Sequence, residues 1–263
     1  MKLKTKNLLT LAELTPKEFL GLIDESIKLK KELKGKGNKP VLKNKTLTMI
    51  FQKPSTRTRV SFEAGIYQLG GHAINLSSDD MQLSRGESIE DTAKTLSRYT
   101  NCIMARVYDH ELLEKLSEHS SVPVINGLSD TFHPCQILAD FMTIKEKKKK
   151  LKGLKITWIG DGNNVCNSMI YGAALSGVKI SIATPKGFEP NKTIVKDAKK
   201  LTTVELTTDP FVAVKNADVV VSDTFSSIHN LDKKRLKKFL PKYQVNSKLM
   251  SAAKKDAIFM HCL

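Results

Sequence analysis

The 263-residue chain exceeds the usual ~100–200 residues of one domain, and 40% hydrophobic with 27% charged residues is the composition of a globular protein with a buried core. No apolar run approaches the ~20 residues that span a bilayer, and residues 1–15 hold no apolar core ahead of a small-residue cleavage site, so neither a membrane partner nor a targeting signal is expected. A formal net charge of +16 attracts polyanions and small phosphorylated substrates alike, but the lysine runs at 28–39 and 147–150 lack interleaved aromatic rings, which argues against a nucleic-acid partner.

Thr15, Pro16 and Glu18 supply an N-cap, a first-turn proline and a capping-box glutamate, and Phe19, Leu20, Ile23 and Ile27 follow at helical spacing. The helix is expected to run to about Leu33, before the glycine-bearing turn 35–40. Residues 46–51 read as a short buried strand, followed by a polar segment at 53–59 and an amphipathic helix ending at Gly70-Gly71. Strands at 72–76, 102–106 and 122–126 then alternate with helices at 88–99 and 110–117, and a helix from about His133 leads into the lysine run 147–150. Beyond it the pattern restarts: a strand at 155–160, a helix at 163–177, and strands at 178–184, 203–207, 218–223 and 257–262 with helices between. This alternation predicts an α/β chain of two similar-sized domains, 1–147 and 148–263, each a mostly parallel sheet flanked by helices.

Segment 55-STRTR-59 places three hydroxyls and the guanidinium groups of Arg57 and Arg59 where a strand ends and a helix begins. Free backbone N–H groups, the helix dipole and a forked guanidinium all favour a phosphate there. Segment 133-HPCQ-136 also opens a helix, with an imidazole and an amide able to bond a carbonyl group. Segment 160-GDGNNV-165 imitates a dinucleotide-binding turn, but Val165 stands where the third glycine belongs, and the next strand ends in Ala183-Thr184 rather than in an acidic residue. What remains is a turn presenting Asn163 and Asn164 at the carboxyl edge of a sheet. Asp223 and Cys262, at the ends of two later strands, share that edge, where a carboxylate and a thiol or thiolate can orient an ammonium or amine. The four cysteines, Cys102, Cys135, Cys166 and Cys262, lie far apart without CxxC spacing, which fits a reducing cytoplasm.

STRTR, Gln82, MARVY, HPCQ, GDGNN and a terminal HCL occur in one order along the chain. Together they resemble the aspartate and ornithine carbamoyltransferase family, and HCL resembles its ornithine branch. The resemblance implies a carbamoyl-phosphate-binding domain, then an ornithine-binding domain, with the active site in the cleft between them. It implies that Ser55, Thr56, Arg57 and Thr58 hold the phosphate, with Gln82 reaching across from a neighbouring subunit. Arg106, His133 and Gln136 would bind the carbamoyl group, joined by Cys262 and Leu263, and Asn164, Asp223, Ser227 and Ile228 would hold ornithine. Arg57, Arg106, His133, Asp223 and Cys262 are the implied catalytic set, in a homotrimer or multiple of trimers that needs no metal or organic cofactor. The expected reaction is direct attack of ornithine's side-chain amine on carbamoyl phosphate, giving citrulline and phosphate. Another amine such as putrescine or acetylornithine, or a non-catalytic basic homologue, fits the same donor motifs. Two departures fall in the acceptor half. His229 stands where the family has glycine, and the proline-bearing loop, further arginine and terminal helices of family members are absent after Leu263, so a chain ending there is expected to keep donor binding with weak turnover.

Overall fold

The computed structural model describes residues 3–225 and 232–262, and the chain divides into two compact units, Met1–Cys135 and Gln136–Leu263. In the first, the capping box forms as the sequence requires: Thr15 Oγ1 accepts from the Glu18 N–H, and Glu18 Oε2 accepts from the Thr15 N–H. The helix it starts, α1 (Pro16–Lys34), buries Phe19 and Ile23 completely. Then follow β1 (Thr46–Phe51), α2 (Thr56–Gln68), β2 (His72–Ser77), α3 (Ile89–Tyr99), β3 (Cys102–Arg106), α4 (His110–His119) and β4 (Val124–Leu128). The four strands are all parallel, in the order β2-β1-β3-β4. Strand β1 is buried on both faces because both are covered: Ile50 joins a cluster with Ile103, Leu113 and Val124, whereas Leu47, Met49 and Phe51 pack with Met104 on the other side.

Two details differ from the sequence expectation. The strand expected at 122–126 lies at Val124–Leu128, because Pro123 has no N–H and contributes only its carbonyl, to the Ile103 N–H. Helix α2 forms, but none of its residues is buried; half-buried Phe62 and Ile66 meet the sheet, and Val60 and Tyr67 are exposed.

In the second unit, α5 (Pro134–Lys148) leads to β5 (Lys155–Ile159), α6 (Asn164–Ser176), β6 (Lys179–Ala183), α7 (Lys192–Ala198), β7 (Val204–Thr207), α8 (Pro210–Val214), β8 (Val219–Ser222), α9 (Lys233–Phe239), α10 (Ser247–Met250) and β9 (Ile258–His261). Its five strands are again all parallel, in the order β7-β6-β5-β8-β9. Trp158 and Ile156 on β5 and the whole of β8 are buried. Each sheet therefore contains a point where the winding reverses, between β1 and β3 in the first and between β5 and β8 in the second. Open parallel sheets bind ligands outside the carboxyl ends of the strands at such points. Among the described residues, no helix is long and apolar enough to cross a membrane.

Candidate active site

The first reversal point carries the phosphate-type motif. Ser55 caps α2, accepting from the Thr58 N–H at 3.4 Å and donating its hydroxyl to Thr58 Oγ1 at 3.0 Å. Arg106 ends the adjacent strand β3, next to a bulge that leaves Gly127 unpaired and sets Arg106 opposite Leu128. It donates from Nη1 to the same Thr58 oxygen at 3.0 Å. Its Nε is buried and has no hydrogen-bond partner among the described residues. Burial, with the positive charge of Arg57 added, lowers the Arg106 pKa. Two guanidinium groups are thus held close together, one bonded to a hydroxyl rather than to a carboxylate, over the first turn of a 13-residue helix. With its Nε unbonded among the described residues and a guanidinium as its charged neighbour, Arg106 is short of negative charge, which a phosphate supplies. Arg59 leaves it: its Nε is paired with Glu63 Oε1 at 2.9 Å on an exposed face. Gln82 is exposed on a single 3-10 turn, Gln82–Arg85, and half-buried His133 immediately precedes α5.

The second reversal point carries the carboxylate and the thiol. Asp223 directly follows β8 and Cys262 directly follows β9, and the Cys262 thiol donates to Asp223 Oδ1 at 2.9 Å. Burial first, then the Asp223 charge, pushes the Cys262 pKa far up, so of the thiol and thiolate forms the thiol is the one present. Asn163 caps α6 by accepting from the N–H groups of Val165 and Cys166, both at 3.1 Å, and its Nδ2 donates to Asp223 Oδ2 at 2.7 Å. The residue bonded to Asp223 is therefore Asn163, whereas the Asn164 side chain accepts from the Val165 N–H at 2.9 Å. Gln136, in the first turn of α5, donates from Nε2 to Asp140 Oδ1 at 3.0 Å. Burial pushes the Asp140 carboxyl up to about 7, with the Gln136 bond opposing and the Asp223 charge adding to the rise. Ser227, Ile228, His229 and Leu263 lie outside the described residues.

The glycines that imitate a dinucleotide turn serve the protein's own packing. A side chain on Gly160, whose φ is +136°, would strike the Phe225 ring, and Gly162 lies against the backbone of residues 188–190. Between them, Asp161 is ion-paired with Arg235, whose Nε donates to the Phe225 carbonyl at 2.8 Å and whose guanidinium lies 5.0 Å from the centre of the Phe188 ring. The backbone just after Asp223 is thereby tied to the turn after β5. Among the described residues, no group of three or more His, Cys, Asp or Glu side chains is placed to hold a metal ion.

Comparison with known proteins accounts for both units. Residues 6–146 match the family described as aspartate/ornithine carbamoyltransferase, carbamoyl-P binding domain, and residues 152–263 match its Asp/Orn binding domain. The chain is 60% identical over 263 residues to an ornithine carbamoyltransferase of Cenarchaeum symbiosum, covering 100% of this chain and 87% of that one. It is 51% identical over 265 residues to one of Bacillus subtilis, covering 98% and 82%. The solved structure of the Pyrococcus furiosus ornithine carbamoyltransferase superposes with a TM-score of 0.95 at 46% identity, covering 100% of this chain and 86% of that one. With both of its units matched and full-length identity of this order, the chain belongs to the aspartate/ornithine carbamoyltransferase family.

Proposed function

We propose that this chain transfers the carbamoyl group of carbamoyl phosphate to the side-chain amine of L-ornithine, giving L-citrulline and phosphate. The donor is common to the whole family, so the observation that selects the acceptor is the bond from the Cys262 thiol to Asp223. A carboxylate beside a neutral thiol attracts and orients an amine, and it would repel an acidic acceptor such as aspartate.

In this reading Ser55, Thr56, Arg57 and Thr58 hold the phosphate, with Gln82 supplied by a neighbouring subunit. His133, Arg106, Gln136 and the Leu263 backbone engage the carbamoyl group, and Asn164, Asp223, Ser227 and Ile228 hold ornithine. The neutral amine attacks the carbamoyl carbon, and the new C–N bond gives a tetrahedral intermediate with negative charge on oxygen. The C–O bond to phosphate then breaks, and the nitrogen's surplus proton leaves to phosphate or solvent. Arg57, Arg106 and His133 stabilise the developing oxyanion and the departing phosphate by charge already in place; loss of one such donor typically lowers turnover by ~10²–10³. A homotrimer is supported by apolar side chains that the first unit leaves exposed, Val60 and Tyr67 on α2 and Ile74 on edge strand β2. We place the domain boundary in the lysine run where α5 ends, between residues 147 and 148, and the enzyme in the cytoplasm, in arginine metabolism.

The test is citrulline formation by the purified chain from carbamoyl phosphate and ornithine, with putrescine, acetylornithine and aspartate as parallel acceptors. Ornithine-dependent turnover is expected. A faster rate with any other acceptor would overturn the assignment.

A further inference from the structure

Asp140 is a carboxylate for which the chemistry above has no task. It lies one turn along α5 from Gln136, is 8% exposed, and accepts from Gln136 Nε2 at 3.0 Å. An ionisable group buried with a neutral amide as its partner opposes folding, whereas an apolar side chain at the same helical position would favour it. Its surroundings add to the cost. Asp223, following β8, raises the Asp140 pKa, and the Asp140 charge in turn raises that of Cys262, following β9. A group kept against stability, beside residues of the proposed reaction, is a candidate for a role in that reaction.

A side-chain amide has one donating end and one accepting end, and a carboxylate only accepts. An ionised Asp140 therefore selects the NH2 end of Gln136 and turns the amide oxygen away from itself. The carbamoyl NH2 group only donates, so it needs that oxygen; a reversed Gln136 would oppose donor to donor.

We propose that Asp140 is a positioning residue for carbamoyl transfer: by holding the Gln136 NH2 group it presents Gln136 Oε1 to the carbamoyl nitrogen. This rests on the reading that Gln136 binds the carbamoyl group. Once protonated, Asp140 can also donate, and the selection between the two ends of the amide is lost. With the carboxyl pushed up to about 7, that loss falls close to neutral pH, while Asp223 and Cys262 face the same group.

The experiment compares the intact chain with Asp140→Asn and Asp140→Leu by steady-state kinetics from acid to alkaline pH, alongside thermal melting of each. Citrulline formation by the unaltered chain tests the functional reading by itself. Given that turnover, the Leu variant is expected to lose about 10–100-fold in kcat/KM for carbamoyl phosphate, the scale of one charge-assisted hydrogen bond, with KM for ornithine nearly unchanged. The Asn variant, which like a protonated Asp140 can donate as well as accept, is expected to hold at all pH values the lowered kcat/KM that the unaltered chain reaches below about pH 7, and so to lack the fall there. A Leu variant as active as the unaltered chain would overturn the proposal. So would an Asn variant with the same acid limb, or losses that follow melting temperature and affect both substrates equally. A profile of the unaltered chain that is flat across neutral pH would overturn it without any variant.

Discussion

At the carboxyl edge of the first sheet the Arg106 guanidinium is bonded to the Thr58 hydroxyl; at the edge of the second the Asp223 carboxylate is bonded to a thiol and an amide. In the first set Arg106 is half-buried beside another guanidinium with its Nε unbonded among the described residues, so an anion would complete its electrostatics. In the second set, both Asp223 oxygens are engaged before any ligand is present, one by Asn163 and one by Cys262 and the Thr224 N–H. One region is built to be neutralised and the other to hold a geometry. Loss of a donor-side group should therefore appear in affinity and ligand-linked stability, and loss of an acceptor-side group in the productive placement of the amine.

The largest effect belongs to Arg57→Ala, which should lower turnover by ~10²–10³ with little change in melting temperature, because the side chain is exposed. Unchanged affinity for carbamoyl phosphate, measured calorimetrically, would remove the cationic side of the contrast. Cys262→Ala should raise KM for ornithine by about tenfold, the value of one modest bond to a charged group, and leave donor binding intact. If donor affinity fell instead, the two regions would not divide the work as stated. Inorganic phosphate should raise the melting temperature of the unaltered chain, by up to about 2.7 kcal/mol of stabilisation at one hundred times its dissociation constant, and do so much less for Arg57→Ala. Equal shifts in both proteins would place the bound phosphate elsewhere.

The smallest effect concerns Asp140, the partner of Gln136. The folded Asp140 carboxyl lies near 7 against an ordinary value of 3.8, so between those values the folded state holds a proton that the unfolded state has released. Stability from this group therefore declines as pH rises from about 4 to about 7 and stays low above that. Asp140→Asn should accordingly melt higher than the unaltered chain at pH 8, with the gap closing toward pH 5. A constant gap in scanning calorimetry would mean that the carboxyl is not shifted.

Strands buried on both faces were legible in the sequence because residues 49–51 and 219–221 are continuous apolar runs, and the ordered motifs identified both ligand-binding halves. The rest depends on packing that the sequence does not display. Asn163 caps α6 and reaches Asp223, a bond that depends on where the helix starts, which sequence locates only to within a residue or two. Arg59 resembles its neighbours in STRTR, but Glu63 four residues on claims it. Asp140 reads as a solvated helix residue until tertiary packing buries it. Arg235 is hidden in 233-KKRLKKF-239, where nothing distinguishes the one cation that turns inward to Asp161.

The sulfur chemistry has a practical consequence. Attack on oxidants and alkylating agents requires a thiolate. Burial pushes Cys102 up to about 11 and Cys135 up to about 12, and it raises Cys166 and Cys262 as well, the last with the help of Asp223. The same carboxylate that would orient the substrate amine thus acts as a preservative for the neighbouring thiol, and Cys262 is expected to react only slowly with peroxide or iodoacetamide at neutral pH.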